Sequence, residues 1–495
     1  MHLRMNEATR TLASILFLLA LSTSYTAVFS QTMSVSSPIS IPSAYGNYHP
    51  QITMTNDAVP AVIWTSSTLK NLYFAKHDGG SDFNTPIQLN PPGFLVQSYT
   101  WSGPDLAKWQ DNLYVVFKAN GYSMGHIYVV KSTDSGETFG DTVRVDDLAD
   151  GFPQYPDIAV FNDTIFVTFM DHDAAGLNPQ YVVTRSVDGG VTFASNVDAG
   201  TLLGDEACDC CQPEIIVNDK YVIVYFRNNA SNIRDTKAVI SFDRGATFSN
   251  IISVDDHLWN TFSCPSTGPD ALFSALDTVI SGYKSEVLGE AKIFLNEYDL
   301  AADSTLRTIE LSIGTGSSPN YPQLSYSNGN LGAVWEGQDG DPEVFFNWSS
   351  TGVQGLSPAN TINVTNAPGA QTKPDICYGN GEFHVVWAEG GSSGIKYVTI
   401  SEALSVNLQE DLPAINIFPN PVISDLRLRI ESGAAELLTA AIFDSKGAHV
   451  CTWAIPKSTN AQINFDKDLS ALKSGLYFLN ITDGNGSTSQ KFIKL

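Results

Sequence analysis

The stretch that decides the fold is YPDIAVFNDTIFVTFMDHDAAGLNPQYVVTRSVDGGVTF, Tyr155–Phe193. Pro156 and an acid open an apolar strand, YPDIAV. FND turns the chain, and IFVTFM is a second apolar strand. YVVTR is a third, and it runs into a Gly-rich turn. The same plan recurs along the chain. Pro followed by Asp, Glu or Gln opens a strand at Pro50, Pro104, Pro156, Pro213, Pro269, Pro322 and Pro374, at intervals of 54, 52, 57, 56, 53 and 52 residues. Strands and tight turns repeating at this period mark the blades of a propeller. Seven copies over residues 33–405 predict an all-β fold, a seven-bladed β-propeller, with six blades as the alternative. The last copy lacks its own fourth strand, and the first is preceded by MSVSSPISI. That N-terminal strand is expected to complete the last blade and close the ring, which hides the sheet edges.

The turn after the third strand carries a second signature. It reads STDSGETF at Ser132–Phe139, SVDGGVTF at Ser186–Phe193 and SFDRGATF at Ser241–Phe248, with a degenerate copy, KHDGGSDF, at Lys76–Phe83. This resembles the Asp-box, or BNR repeat, of sialidase-like propellers. Asp134, Asp188 and Asp243 are expected to accept backbone N–H bonds across the turn, and the Gly to supply the needed φ. The motif repeats wherever blades repeat, so its role is read as structural.

Both ends of the chain read as export signals. Arg4 and Arg10 precede the apolar run Leu12–Leu21, followed by small and polar residues. Residues 1–30 are therefore expected to be a signal peptide. A polar linker, 406–414, leads to a segment of different style over 415–495. FPNP at Phe418–Pro421, the FDSKG turn at Phe443–Gly447, SGLYFL at Ser474–Leu479 and the terminal KFIKL resemble the type IX secretion sorting domain of Bacteroidota. The resemblance implies a small β-sandwich and export to the medium or the outer cell surface by type IX secretion machinery. The residues themselves leave open an ordinary binding module.

Charge narrows the partners. The chain holds 27 Lys+Arg against 52 Asp+Glu, a net charge of −25. That disfavours nucleic acid and anionic membrane. No segment past the leader has about 18 uninterrupted apolar residues, so no membrane span is expected. A monomer that binds an extracellular glycan or glycoprotein fits this balance.

Blade topology sorts the polar residues by face. The loop entering a blade's first strand and the loop between strands two and three open on one face, and the Asp-box turns on the other. GDEACDCCQPE, Gly204–Glu214, enters blade four, and HLWNTFSCPSTGP enters blade five. Cys208, Cys210, Cys211 and Cys264 therefore share a face. Disulfides persist outside the cytoplasm. Cys264 can bridge to Cys208 or Cys211, Cys210 and Cys211 can form a vicinal disulfide, or the thiolates can hold a metal. Arg227, Asn228, Asn229, Arg234 and Asp235 lie on the same face, as do Asp171, His172 and Asp173 of blade three. Lys118, His126, Lys284, Glu286, Glu336 and Glu389 join them, with aromatics Tyr48, His49, Trp101, Tyr155, Trp259 and Tyr321. For Arg227 and Arg234 the alternative is bracing by Asp235 and Asp205. For Asp171–Asp173 it is a solvated loop. Asp339 and Asp341 suit Ca²⁺ or a plain turn. Cys377 is expected as a buried free thiol, and Cys451 has no evident partner.

Three functions remain. The pattern of cysteines, YFRNN and Asp-box resembles bacterial secreted propellers of the exo-α-sialidase-like kind. That resemblance implies glycoside hydrolysis, with three arginines on a carboxylate and paired acids. The propeller has only six arginines, 144, 185, 227, 234, 244 and 307, of which only Arg227 and Arg234 reach the probable site face. A glycan-binding propeller without catalysis needs no such triad. The third reading is a metal or redox site at the cysteines.

Overall fold

The computed structural model describes residues 33–42, 48–66, 68–120, 125–148, 152–173, 177–200, 207–390, 394–402, 415–431, 438–445, 448–455, 462–482 and 487–495. The expected signal peptide, 1–30, and linker, 406–414, lie outside these residues. The chain divides into two compact units, Met1–Ala403 and Leu404–Leu495.

In the first unit the described residues form seven antiparallel sheets. Their first strands are Tyr48–Met54, Asp105–Trp109, Gln154–Phe161, Glu214–Val217, Asp270–Ala275, Ser317–Ser327 and Gln371–Gly379. Each touches the next in order, and the last touches the first, so the sheets close a ring of seven blades. Two N-terminal strands, Met33–Val35 and Ile39–Ile41, pair with Gly394–Glu402 of the last blade. The expected closure is the observed one.

The second strands are mostly apolar through their middles because both of their faces are buried. In Asn112–Ala119, Leu113, Val115 and Phe117 pack toward blade one, while Tyr114 and Val116 pack toward blade three. Strand side chains alternate between faces, so one strand serves two interfaces. The core is accordingly split into seven clusters, each shared by two adjacent blades. Each fully buried Val, Ile or Phe contributes about 1.5–3 kcal/mol by leaving water.

The Asp-box turns repeat one hydrogen-bond pattern. Asp134 accepts from Ser132 Oγ at 2.7 Å, Thr138 N at 2.9 Å and Thr138 Oγ1 at 2.5 Å, while Ser132 Oγ accepts from Gly136 N at 2.9 Å. Asp188 and Asp243 repeat these contacts with Thr192 and Thr247. The threonine bonds hold the Asp134 and Asp243 carboxyls down at about 2. The motif aromatic packs between blades, as Phe139 does against Phe74 at 5.0 Å.

The second unit is two sheets. Ile415–Phe418, Asp425–Glu431 and Gln462–Asp468 form one, and His449–Ile455, Leu438–Asp444, Gly475–Thr482 and Ser487–Lys494 form the other. Leu426 and Leu428 of the first meet Ala440, Ile442 and Leu479 of the second in a shared core. No helix among the described residues is long and apolar enough to cross a membrane.

Candidate functional site

The Pro-acid repeat builds the axis. The residue after each proline is Gln51, Asp105, Asp157, Glu214, Asp270, Gln323 or Asp375. Four of these carboxylates reach across to the next blade's first strand. Asp375 accepts from Ile52 N at 2.6 Å, Asp157 from Ile215 N at 2.6 Å and Asp105 from Ile158 N at 3.4 Å, and Asp270 accepts from Leu324 N. The acid is therefore a link between neighbouring blades.

In four blades the residue before the proline has an unusual backbone. His49, Tyr155, Tyr321 and Lys373 take left-handed φ values of 47°, 53°, 49° and 54°. The strand register shifts at each of these positions. A bulge re-aims its side chain, and a left-handed non-glycine costs about 1–3 kcal/mol, which the surroundings must offset. Gly103 and Gly268 hold the same place in blades two and five. A Cβ on Gly103 would stand 2.7 Å from His49 Cβ, and one on Gly268 would stand 2.2 Å from the Gln212 carbonyl oxygen.

His49, Gly268, Tyr321 and Lys373 are among the residues that line an axial cavity of about 210 Å³, to which all seven first strands contribute. The acids around it include Asp105, Asp157, Glu214, Asp270 and Asp375, and His49, Trp101, Gln212, Tyr321 and Lys373 complete the lining. Lys373 Nζ sits 3.8 Å from the centre of the Tyr321 ring and 3.9 Å from Glu336 Oε2.

Burial sets the protonation of this pit. It raises Asp375 to about 7. It lifts Asp157, Glu214 and Asp270 well above the carboxylate range, and neighbouring carboxyls push the same way. Asp105, Asp157 and Glu214 lie close enough for their carboxyls to shift one another. Burial, then Lys373, lowers His49 to about 3, leaving a neutral imidazole. Its Nε2 is buried and meets no partner among the described residues.

The cysteines gather beside this pit, since Cys211 is followed by Gln212 and Pro213 of the cavity wall. All four Sγ atoms lie within 4.8 Å of one another. A disulfide joins Cys210 to Cys264 and staples blades four and five. The bridge between blades was expected, but through Cys208 or Cys211. The vicinal Cys210–Cys211 alternative does not form. Cys208 and Cys211 are buried free thiols with sulfurs 3.2 Å apart. Burial alone would raise Cys211. The hydrogen bond from Cys208 and the nearby Arg227 and Arg234 outweigh it and hold Cys211 at about 7. The same bond, with burial, raises Cys208.

Several residues expected on the rim lie beneath it. Arg227 is fully buried, and its three nitrogens donate to the carbonyls of Thr267, Arg234 and Lys284 at 3.2, 2.6 and 3.1 Å. Trp259 is also buried. It stacks on Arg227 at 5.1 Å and donates from Nε1 to Glu286 at 3.0 Å. Arg234 and Asn228 are buried, with Arg234 Nε and Nη1 and the Asn228 and Asn229 side-chain oxygens lacking partners among the described residues. Asp235 accepts from Trp259 N at 2.9 Å. No ion pair joins it to either arginine among the described residues, and Asp205 lies outside them.

Blade three's acids stay local. Asp171, which burial raises to about 6, accepts from His172 N. His172 Nδ1 meets the Phe152 carbonyl, and Asp173 accepts from Leu177 N and Asn178 Nδ2. Lys118 is buried, which lowers it to about 8. Glu336 is at the pit through Lys373. Asp339 and Asp341 face each other across a hairpin turn at Gly340. Cys377 is free and partly exposed rather than buried, and Cys451 is free.

The sequence reading missed the pit carboxylates and Lys373 as site residues. Their signal was the Pro-acid repeat itself, read for architecture only.

Comparison with known proteins identifies the C-terminal unit. Residues 416–495 match the family described as secretion system C-terminal sorting domain. A chain with this domain goes through type IX secretion to the cell surface or the extracellular space. No curated protein matches the chain. Among solved structures, the chain is similar to the α-L-arabinofuranosidase Arb93A of Fusarium graminearum in complex with an iminosugar inhibitor, at 12% identity and TM-score 0.44, covering 74% of this chain and 98% of that one. It is similar to Trypanosoma rangeli sialidase in complex with sialic acid at 9% identity and TM-score 0.41, covering 93% and 88%. A structure of YjhT matches at 9% identity and TM-score 0.39, covering 63% and 97%.

Proposed function

We propose that this chain is an exported glycan-recognition propeller, and that a neutral sugar residue seats in its axial pit. The observation that carries the reading is the cavity of about 210 Å³ under His49, Tyr321 and Lys373, with carboxyls around the axis. It is smaller than the ~300–1,000 Å³ pockets that take drug-sized ligands, so one sugar residue suits it better than a chain. Sugar hydroxyls are donors and acceptors, and carboxylates, imidazole and ammonium answer both. Trp101 and Tyr321 offer apolar ring faces beside them.

An acidic sugar suits it poorly. Its carboxylate would meet a pit rich in carboxyls, whose lining includes no arginine. Arg144, Arg244 and Arg307 pair with Asp146, Asp219 and Glu297, and Arg185 donates to the Arg244 carbonyl. Arg227 is held by three carbonyls.

One observation favours a second reading, glycoside hydrolysis. Asp105, Asp157 and Glu214 line one cavity as neighbouring carboxyls, and paired carboxyls are what acid–base cleavage of a sugar bond uses. A glycan array on the full chain, run beside a panel of fluorogenic neutral glycosides and sialosides, separates the two. Binding of neutral glycans without turnover is expected. Turnover that is lost in Asp157→Asn would replace the binding reading with the enzyme reading. Preference for sialylated glycans would sink both forms of the neutral-sugar claim.

A further inference from the structure

The sulfur cluster has more donors than one disulfide needs, and it has charge beside it. Cys208 Sγ lies 3.5 Å from Cys210 Sγ and 3.2 Å from Cys211 Sγ, and all four sulfurs fit within 4.8 Å. Zn–S bonds of about 2.3 Å in a tetrahedron set sulfurs roughly 3.8 Å apart, which the two Cys208 pairs reach with small shifts and the Cys210–Cys264 pair reaches once its bond is reduced. Adjacent Cys210 and Cys211 both contribute, because the turn at Asp209 and Cys210 brings both sulfurs to one side.

The second observation is Arg234. It is 8% exposed, and its Nε and Nη1 are buried without an acceptor among the described residues. Arg227 has three carbonyl acceptors and no carboxylate partner among the described residues. Two buried cations need an anion nearby. Two disulfides would be neutral and would leave Arg234 without a counter-charge among the described residues. Four thiolates around one Zn²⁺ carry a net charge of −2, which matches the two guanidiniums.

We propose that Cys208, Cys210, Cys211 and Cys264 form a four-thiolate site for Zn²⁺ that stitches blades four and five, with Arg227 and Arg234 balancing its charge. The closed Cys210–Cys264 bridge is the oxidised, metal-free form of the same site. A small disulfide oxidant interconverts them. It takes two electrons from the Cys210 and Cys264 thiolates and leaves as two thiolates. The S–S bond forms, Zn²⁺ departs, and Cys208 and Cys211 each take up a proton. A dithiol reductant reverses the step by becoming a disulfide itself. Cys264 is exposed and Cys208 and Cys211 are buried, so reagents reach the bridging pair first.

The test uses the full chain with Cys377 and Cys451 changed to Ser. It is reduced with a dithiol under anaerobic conditions, freed of reductant and titrated with Zn²⁺ against a chromophoric chelator. The expected result is one Zn²⁺ per chain and four thiols shielded from alkylation. Co²⁺ in place of Zn²⁺ should give the intense visible bands of a tetrahedral thiolate complex. Arg234→Gln should keep the stoichiometry and lower Zn²⁺ affinity about 10-fold, as loss of a supporting group does. Oxidation should release the metal as the Cys210–Cys264 peptide link appears. Zn²⁺ binding no tighter than in Cys208→Ser/Cys211→Ser would overturn the proposal. If that variant does not fold, a Co²⁺ spectrum without thiolate bands, or an unchanged affinity in Arg234→Gln, overturns it instead.

Discussion

Gly136 illustrates how a single atom is constrained here. Its φ is +86°, and a Cβ would stand 2.4 Å from Phe74 Cζ of the preceding blade. Gly79, in the degenerate copy of the same turn, has φ +76° and open space around it. Gly136→Ala should therefore cost about 2–4 kcal/mol, from backbone strain plus overpacking, and Gly79→Ala about 1 kcal/mol from strain alone. Urea unfolding of both variants checks the difference, and equal losses would contradict it. Asp375 makes a second residue-scale case. The fold raises its carboxyl to about 7, while the unfolded chain keeps it near 3.9. The folded state then binds the extra proton, so this stabilisation is present below about pH 4 and is lost as pH rises to about 7. The wild-type thermal midpoint should fall from pH 5 to pH 8, and Asp375→Asn should flatten that fall; parallel profiles would count against it. The Asp-box roles were legible because one local pattern satisfies its own hydrogen bonds. The burial of Arg227 and Trp259 was not, since face assignment says which loop a residue is on but not how deep it lies.

At the scale of elements, each second strand carries two interfaces at once. Ile223 of Val222–Arg227 faces blade five, and Val224 faces blade three. Ile223→Ala should cost about 2–5 kcal/mol, measured by chemical denaturation. A loss under 1 kcal/mol would mean the blades do not share a core there. The closing strands are a sharper case. Deleting residues 33–41 would bare the Gly394–Glu402 edge and the unpaired groups along it. A lower thermal midpoint and concentration-dependent scattering are expected, and an unchanged midpoint would contradict the ring. These elements were readable because the Pro-acid opening and the alternation recur at a fixed period. The unusual backbone of His49, Tyr155, Tyr321 and Lys373 was not, because a left-handed residue before proline leaves no trace in hydrophobic periodicity.

At the scale of the whole molecule, two units divide the work. Residues 416–495 carry the secretion sorting domain, and the propeller carries its own seven-cluster core. A chain ending at Ala403 should fold yet remain with the cells, whereas the full chain reaches the surface or medium. Fractionation and limited proteolysis read both outcomes, and export of the shortened chain would contradict this division. The propeller's acid-rich axis then becomes the part presented outside. Crystals of the full chain soaked with the strongest neutral glycan from an array test that most directly. The expected result is density for one sugar residue in the axial cavity, touching Tyr321 and Lys373 and hydrogen-bonded to the pit carboxyls. Density at another surface, or an empty pit beside a bound acidic sugar, would contradict the account.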